Sequence, residues 1–242
     1  MPISFIPYTA TYGPLSLPGV PCQLWLDGAD SSTITLSGST VTQWRDKSGN
    51  KNNSTSCSAT FSSSINGNTV LTNPVISGPI TNSGSSVVNF FIVGTLAATG
   101  GLYDSMLALN AATITNYYAA GTLFACYYGS TNPPQYYAFM NGNLNNTPQS
   151  TVNTPFIFNA FQSGTTGTTY FNGNSAGAVG TAGNTFTYTN YYIGTCTGGP
   201  AWVGNIAEII IYNTTLSTPQ QQAIEGYLAQ KWGLTANLPP GH

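Results

Sequence analysis

Charge is almost missing from this sequence. Asp, Glu, Lys and Arg together make up 4% of its 242 residues, against roughly 25% in an ordinary soluble domain. The basic residues are Arg45, Lys47, Lys51 and Lys231. Neutralising a phosphate backbone takes a basic patch, and a solvated loop at 45–51 is not one, so the composition argues against nucleic acid. Histidine is scarcer still, with His242 alone at the end of the sequence. That excludes a Ser/His/Asp or Cys/His catalytic arrangement, which needs an imidazole beside its nucleophile. There is no Gly-x-x-x-x-Gly-Lys phosphate loop. No run reaches the ~18 apolar residues of a membrane-spanning helix. Met1-Pro2-Ile3-Ser4 opens without the positive and apolar regions of a secretory signal. Cys22, Cys57, Cys126 and Cys196 form no C-x-x-C pair, which argues against zinc. Three disulfide pairings and a set of free thiols all stay open.

What is present is apolar and hydroxylated. Hydrophobic residues reach 41%, enough for a core, and disorder would require the opposite balance of low hydrophobicity and high charge. Ser, Thr, Asn, Gly and Tyr take the place of charge on the surface, as suits an exposed structural protein. Five prolines within residues 1–21 block both helix and central strand, predicting an extended arm that lies on the domain or reaches a neighbour. Short strand-like runs separated by turn signals follow, the pattern of a β-sandwich. They include Gln23–Asp27, Val41–Trp44, Tyr136–Met140, Phe156–Phe161, Tyr191–Thr195 and Ile206–Tyr212. Val87–Leu96 is almost continuously apolar and predicts a central strand buried on both faces. Thr168-Thr169-Tyr170-Phe171 runs into Asn172-Gly173, a strong hairpin signal.

One helix is expected over 218–232. Thr218 reads as its N-cap, with Pro219 at the first helical position and Gln221 three residues after the cap. Ile224, Tyr227, Leu228 and Trp232 form one apolar stripe, and Gly233 supplies a left-handed stop. The organisation expected is an arm (1–21), a sandwich including the helix (22–234) and a tail or linker (235–242).

Three stretches resemble known domains. Leu24-Trp25-Leu26-Asp27 through Trp44-Arg45-Asp46-Lys47-Ser48-Gly49-Asn50 resembles the opening of laminin-G-like, concanavalin A-type domains. Tyr170-Phe171-Asn172-Gly173 resembles their strand-Asn-Gly hairpin. Gly204 to Asn213, followed by Leu216-Ser217 and the helix ending Tyr227-Leu228-Ala229-Gln230-Lys231-Trp232-Gly233-Leu234, resembles their last strand and closing helix. The resemblance covers roughly residues 22–240. It implies an all-β, two-sheet antiparallel jelly-roll sandwich with one C-terminal α-helix. The Ser/Thr/Asn-rich filler and the Lys-Trp-Gly-Leu ending are similar to domains of giant DNA virus and phage structural proteins. That implies a virion-surface or extracellular setting, with other virion or fibre proteins, or further copies of the chain, as partners.

Candidate sites follow from the few special residues. Glycan-cleaving relatives of the fold need paired carboxylates, and none of the six acids forms such a pair on one strand. The expectation is therefore a non-enzymatic, lectin-like protein. A ligand-free capsid or fibre module and, last, a glycan-processing enzyme are the alternatives. Glu208 stands alone in an apolar strand, sharing a face with Ile206, Ile210 and Tyr212 by alternation. A buried carboxylate needs a partner, and Arg45, from the other charged motif, is the candidate for a structural ion pair. Asp46, Ser48 and Asn50 alternate in a Gly-containing loop, as oxygen ligands of a calcium ion or as an Asx-type turn. Tyr doublets recur at 117–118, 127–128, 136–137 and 191–192. On a strand each doublet sends one ring inward and one outward. Tyr118, Tyr128, Tyr137 and Tyr192 are then candidate glycan-stacking rings, although β propensity alone also explains such doublets. Asn52, Asn53, Asn145 and Asn213 each open an Asn-x-Ser/Thr triplet.

Overall fold

The structure, a computed structural model, describes residues 12–80, 85–97, 102–110, 123–128, 135–140, 143–147, 151–180, 187–195 and 201–242. It is an all-β sandwich with one helix of more than a single turn among these residues. The strands are β1 (Leu24–Asp27), β2 (Ile34–Ser37), β3 (Thr40–Trp44), β4 (Ser56–Ile65), β5 (Asn68–Pro79), β6 (Val87–Leu96), β7 (Leu102–Asn110) and β8 (Leu123–Tyr128). They continue with β9 (Gln135–Met140), β10 (Asn143–Thr147), β11 (Phe156–Ser163), β12 (Thr166–Phe171), β13 (Asn174–Gly180), β14 (Asn190–Ile193) and β15 (Gly204–Tyr212). Helix α1 (Thr218–Trp232) follows. Every pairing between these strands is antiparallel.

One strand joins the two layers. The first half of β5 pairs with β15 through Leu71 and Thr72, and its second half pairs with β14 from Ile76 to Pro79. The switch falls at Asn73-Pro74. Asn73 adopts φ 47°, Pro74 has no N–H to give a ladder, and the Asn73 Oδ1 accepts the Gly204 N–H at 3.0 Å instead. The front layer runs β2-β3-β4-β5-β14-β7-β8-β9-β10, and the back layer runs β5-β15-β6-β11-β12-β13, with β1 on β15. Their far ends, β10 and β12–β13, lie beside each other.

Alternation then builds two cores. Phe90, Ile92, Phe158, Ile209 and Ile211 of the back layer face Val41, Trp44, Ile76, Tyr136, Tyr191 and Ile193 of the front layer. Tyr136 stacks on Phe171 at 5.2 Å and tilts against Phe156 at 4.5 Å, filling the gap between layers. The opposite face of the back layer, Phe91, Val93, Ile157, Ile210 and Tyr212, packs under Ile224, Leu228 and Trp232 of α1. β6 is thus buried on both faces, which is why its sequence is continuously apolar. Leu17 and Val20 of the N-terminal segment join this second core, and Pro14 accepts the Tyr212 hydroxyl at 2.9 Å.

The helix begins one residue earlier than its capping signals suggest. Ser217 is the N-cap, and the Gln220 Oε1 accepts its backbone N–H at 2.9 Å, leaving Thr218 and Pro219 in the first turn. Gly233 closes the helix at φ 72°.

The inner face of β14 imposes one tight contact. Tyr191 lies across Gly78 of β5, and a Cβ there would meet the phenol ring and hydroxyl at 2.4–2.7 Å. Gly78→Ala is expected to cost about 2 kcal/mol through overpacking, read as a melting temperature lower by roughly 4–8 °C. In a Tyr191→Leu background the same change should cost less than half as much.

Candidate functional site

Pairing β1 with β15 places Asp27 directly opposite Glu208. Neighbouring positions in sequence say nothing of this, because the two residues are 181 apart. A bulge in β15 between Ile206 and Glu208, against Gly94 and Val93, shifts the alternation. Ile206 turns into the inter-layer core while Ala207, Ile210 and Tyr212 lie under the helix. The expected face shared by Ile206, Glu208, Ile210 and Tyr212 is therefore broken by one inserted residue.

Glu208 is fully buried and surrounded by donors. Its Oε1 accepts from the Trp25 indole at 2.7 Å and the Tyr227 hydroxyl at 3.0 Å. Its Oε2 accepts from the Trp232 indole at 2.7 Å and from Lys231 Nζ at 2.8 Å. Burial pushes the Glu208 pKa up, and the Lys231 charge pulls against that rise. Lys231 also pairs with Asp27, and Asp27 pairs with Lys47 at 2.8 Å. Lys47 reaches Asp30 at 2.8 Å and lies 4.2 Å over the Trp25 ring. Burial works against the Lys47 charge, but Asp27 and Asp30 overcome it and raise its pKa. Asp30 is held down at about 2, chiefly by its bond from Lys47.

The partner of Glu208 is thus Lys231, not Arg45. Arg45 follows the inward-facing Trp44 and stands exposed on the other layer. Its Nη1 donates to the Ser32 carbonyl at 2.8 Å, its Nη2 to Thr35 Oγ1 at 3.0 Å and its Nε to Gln43 Oε1 at 3.3 Å. One signal for the true pair was available: Tyr227 and Lys231 are four apart and share a helix face, in a chain with almost no other cations.

The loop after β3 is organised by Asp46. Its Oδ1 accepts the N–H groups of Trp25 (3.0 Å) and Ser48 (2.8 Å). Its Oδ2 accepts the Ser48 hydroxyl (2.7 Å) and the Asn52 N–H (3.0 Å). Asn50 turns its amide nitrogen to the carbonyls of Cys22 (2.9 Å) and Gln23 (3.0 Å). Asp46, Ser48 and Asn50 so arranged form an Asx-type turn, in which donors of the protein converge on the Asp46 carboxylate. Among the described residues no group of three His, Cys, Asp or Glu side chains converges as metal ligands do.

The tyrosine candidates separate. Tyr118 lies outside the described residues, and Tyr128 is described only in its backbone pairing with Gln135. Tyr137 pairs with Cys126 on the outer side of the front layer but is buried, so the doublet 136–137 does not expose a ring. Tyr192 is half-buried on that outer face, since Tyr191 and Ile193 point inward. It stands directly between Ser77 of β5 and Ala108 of β7. Ser56 of β4 pairs with Ser77, and Ser58 pairs with the exposed Val75. Asn190 shares the strand face of Tyr192. The result is one aromatic ring among hydroxyls and an amide.

A second polar group lies below the tail. Buried Glu225 receives His242 Nε2 at 3.0 Å and Gln221 Nε2 at 3.3 Å. The bond to Glu225 raises the His242 pKa against the effect of burial. A groove of about 870 Å³ runs between the outer side of α1 and residues 235–242, lined by Ala223, Gly226, Tyr227, Leu238 and Pro239 among others. Cys22 and Cys57 are free thiols. Burial pushes Cys57 up to about 11 and Cys22 further, so neither is a ready nucleophile. Cys126 and Cys196 have no described side chain.

No protein-family model and no curated protein matches this sequence. Solved structures do share its fold. The chain is similar to Trypanosoma rangeli sialidase, with a TM-score of 0.56 and 13% identity over 89% of this chain and 34% of that one. It therefore spans about a third of the sialidase. It is similar to domain 4 of a GH43 extracellular arabinanase from Geobacillus stearothermophilus, solved with arabinotriose, with a TM-score of 0.58 and 10% identity. That match covers 85% of this chain and 98% of the domain. An arabinofuranosidase complexed with arabinofuranosyl-alpha-1,2-xylobiose matches with a TM-score of 0.59 and 12% identity, over 88% of this chain and 60% of the enzyme.

Two predictions follow from the buried groups. Glu208→Gln leaves Lys231 with less charge to meet and should cost about 3–4 kcal/mol in chemical denaturation, with part of the loss recovered in Glu208→Gln/Lys231→Met. A His whose folded pKa is raised stabilises fully below its unfolded value near 6.5, and that contribution fades as pH rises through the folded pKa. His242→Gln should therefore flatten the fall in stability above pH 6.5, in melts recorded as a pH series.

Proposed function

We propose that this chain is a carbohydrate-binding sandwich that holds glycans non-covalently on the outer face of its front layer, around Tyr192. The observation that carries the reading is that ring: half-buried, on the outer face of a strand paired on both sides, with Ser77 and Asn190 beside it and Ser56 one strand further. A tyrosine offers an apolar face to a sugar ring, and hydroxyls and amides meet its edges. The similar domain solved with arabinotriose, and the sialidases solved with sialic acid, support a carbohydrate ligand by likeness of fold.

The reading is non-catalytic. Asp27 and Glu208 do face each other, but both are buried, with Lys231 bridging them and Trp25, Tyr227 and Trp232 sealing Glu208. Glycoside cleavage needs two carboxylates flanking an accessible bond, with room for water. The setting we propose is the exterior of a virus particle, supported by the scarcity of charge and the resemblance of the closing segment to viral structural proteins. There the domain would attach a particle to host glycans or join it to virion and fibre proteins. Val75, 44% exposed beside this face, favours the second reading of a purely structural module, in which the same patch meets protein.

A glycan array separates the two. Binding is expected for the wild-type chain and a loss of tenfold or more for Tyr192→Ala, with its melting transition shifted by less than about 0.5 kcal/mol, as for a surface change. No glycan bound, together with tight assembly into a multimer that Tyr192→Ala disrupts, would establish the structural module instead.

A further inference from the structure

Lys231 sits against two carboxylates at once. Its Nζ lies 2.5 Å from Asp27 Oδ1 and 2.8 Å from Glu208 Oε2. Asp27 closes β1, Glu208 stands directly opposite it on β15, and Lys231 comes from the last turn of α1. Asp27 and Glu208 are buried, and Lys231 is largely so. Aromatic side chains wall the site. Trp25, Tyr227 and Trp232 all donate to Glu208. The Lys231 ammonium lies 5.5 Å from the Tyr227 ring and 5.3 Å from the Trp232 ring. A primary amine, a carboxylate that it can attack and a second carboxylate are thus held together by three separate elements.

In water an ammonium and a carboxylate do not condense, because both ions are well solvated. Burial removes that solvation and makes the separated charges costly. An amide in their place carries no charge, and the water it releases leaves the interior. Glu208 is suited to move the protons. Burial raises its pKa, the Lys231 charge pulls it down and the Asp27 charge raises it again, so that the carboxylate can take up a proton and give it back. Lys47 Nζ lies 2.8 Å from Asp27 Oδ2, where it meets the negative charge that develops on that oxygen during attack.

We infer that Lys231 and Asp27 condense into an intramolecular isopeptide bond, with Glu208 as the proton carrier. The bond from Nζ to Cγ of Asp27 forms, and the bond from Cγ to Oδ1 breaks. Two of the three ammonium protons pass by way of Glu208 Oε2 to the departing oxygen, which leaves as water. The third proton stays as the amide N–H, and Glu208 ends as it began. No oxidant, reductant or co-reactant enters. Glu208 keeps its two indole donors and its phenol donor, with the amide N–H in place of the ammonium. The bond joins residues 204 apart and ties β1 to α1 around most of the sandwich. A pull on the segments outside 27 and 231 then falls on a covalent link and not on strand ladders. Cys22 and Cys57 are free thiols and supply no such link.

The test is the intact mass of the folded, full-length chain, measured under denaturing conditions. Digestion with a protease that cuts at aromatic residues follows. The wild type should be lighter than its sequence by one water. The fragment holding Asp27 should be found joined, side chain to side chain, to the fragment holding Lys231. Lys231→Arg keeps the charge without the amine and should have the full mass, as should Glu208→Gln. A wild-type chain of full mass overturns the inference whatever the variants do, so the result does not depend on a variant folding. A lost water with the two fragments separate also overturns it, because Asp27-Gly28 can close on itself as a succinimide with the same loss. A link that still forms in Glu208→Gln overturns the role given to Glu208. Glycan binding at Tyr192 is a separate question that none of these outcomes decides.

Discussion

A single buried carboxylate holds the architecture of the back layer together. Glu208 takes bonds from a β1 indole, a helix phenol, a helix indole and a helix ammonium. An ion this deep is costly unless its oxygens are filled. Here the filling groups come from β1 and α1, so satisfying Glu208 means docking both elements on β15. Through Lys231 and Asp27 the same network reaches Lys47 and the loop after β3. The helix carries only a narrow apolar stripe, and this network adds direction to its packing by specifying which side chains must meet.

The network also shapes what the rest of the molecule can do. It draws three of the six acids and two of the four cations into one place. What remains on the outer face of the front layer around β14 is hydroxyl, amide and one tyrosine ring. Such a surface is suited to recognition by stacking and hydrogen bonding. The front layer reaches the helix through Ile65 of β4 and Val70 of β5, while Ser56, Ser77, Asn190 and Tyr192 lie outside both cores and can be chosen for binding.

The sequence carries the fold more clearly than the site. Val87–Leu96 reads as a doubly buried strand because both of its faces are apolar, and it lies between the inter-layer core and the helix core. The helix and its Gly233 stop are legible because capping chemistry is local. β4, β5 and β13 are harder to read, since Ser, Thr, Asn and Gly serve strands and turns alike in this chain. Lys231 as the partner of Glu208 is not legible in the sequence, because register and a bulge, neither visible in one sequence, decide what lies opposite. Asp46, Ser48 and Asn50 show the same limit: their alternation suits a cation or a turn, and only the positions of the Trp25 and Asn52 N–H groups distinguish them. Of the tyrosines, Tyr192 sits on an outer face as alternation predicts, whereas Tyr137 is covered despite its outward position.

The central claim is that glycans sit on the front layer and leave unchanged. The most direct measurement is an NMR titration of isotope-labelled protein with an oligosaccharide found to bind, following amide shifts and the sugar resonances together. The account predicts shifts centred on Ser56, Ser77, Asn190 and Tyr192, with sugar signals constant over time. Shifts centred on the groove between α1 and residues 235–242, or the appearance of new reducing-end signals from cleavage, would contradict it.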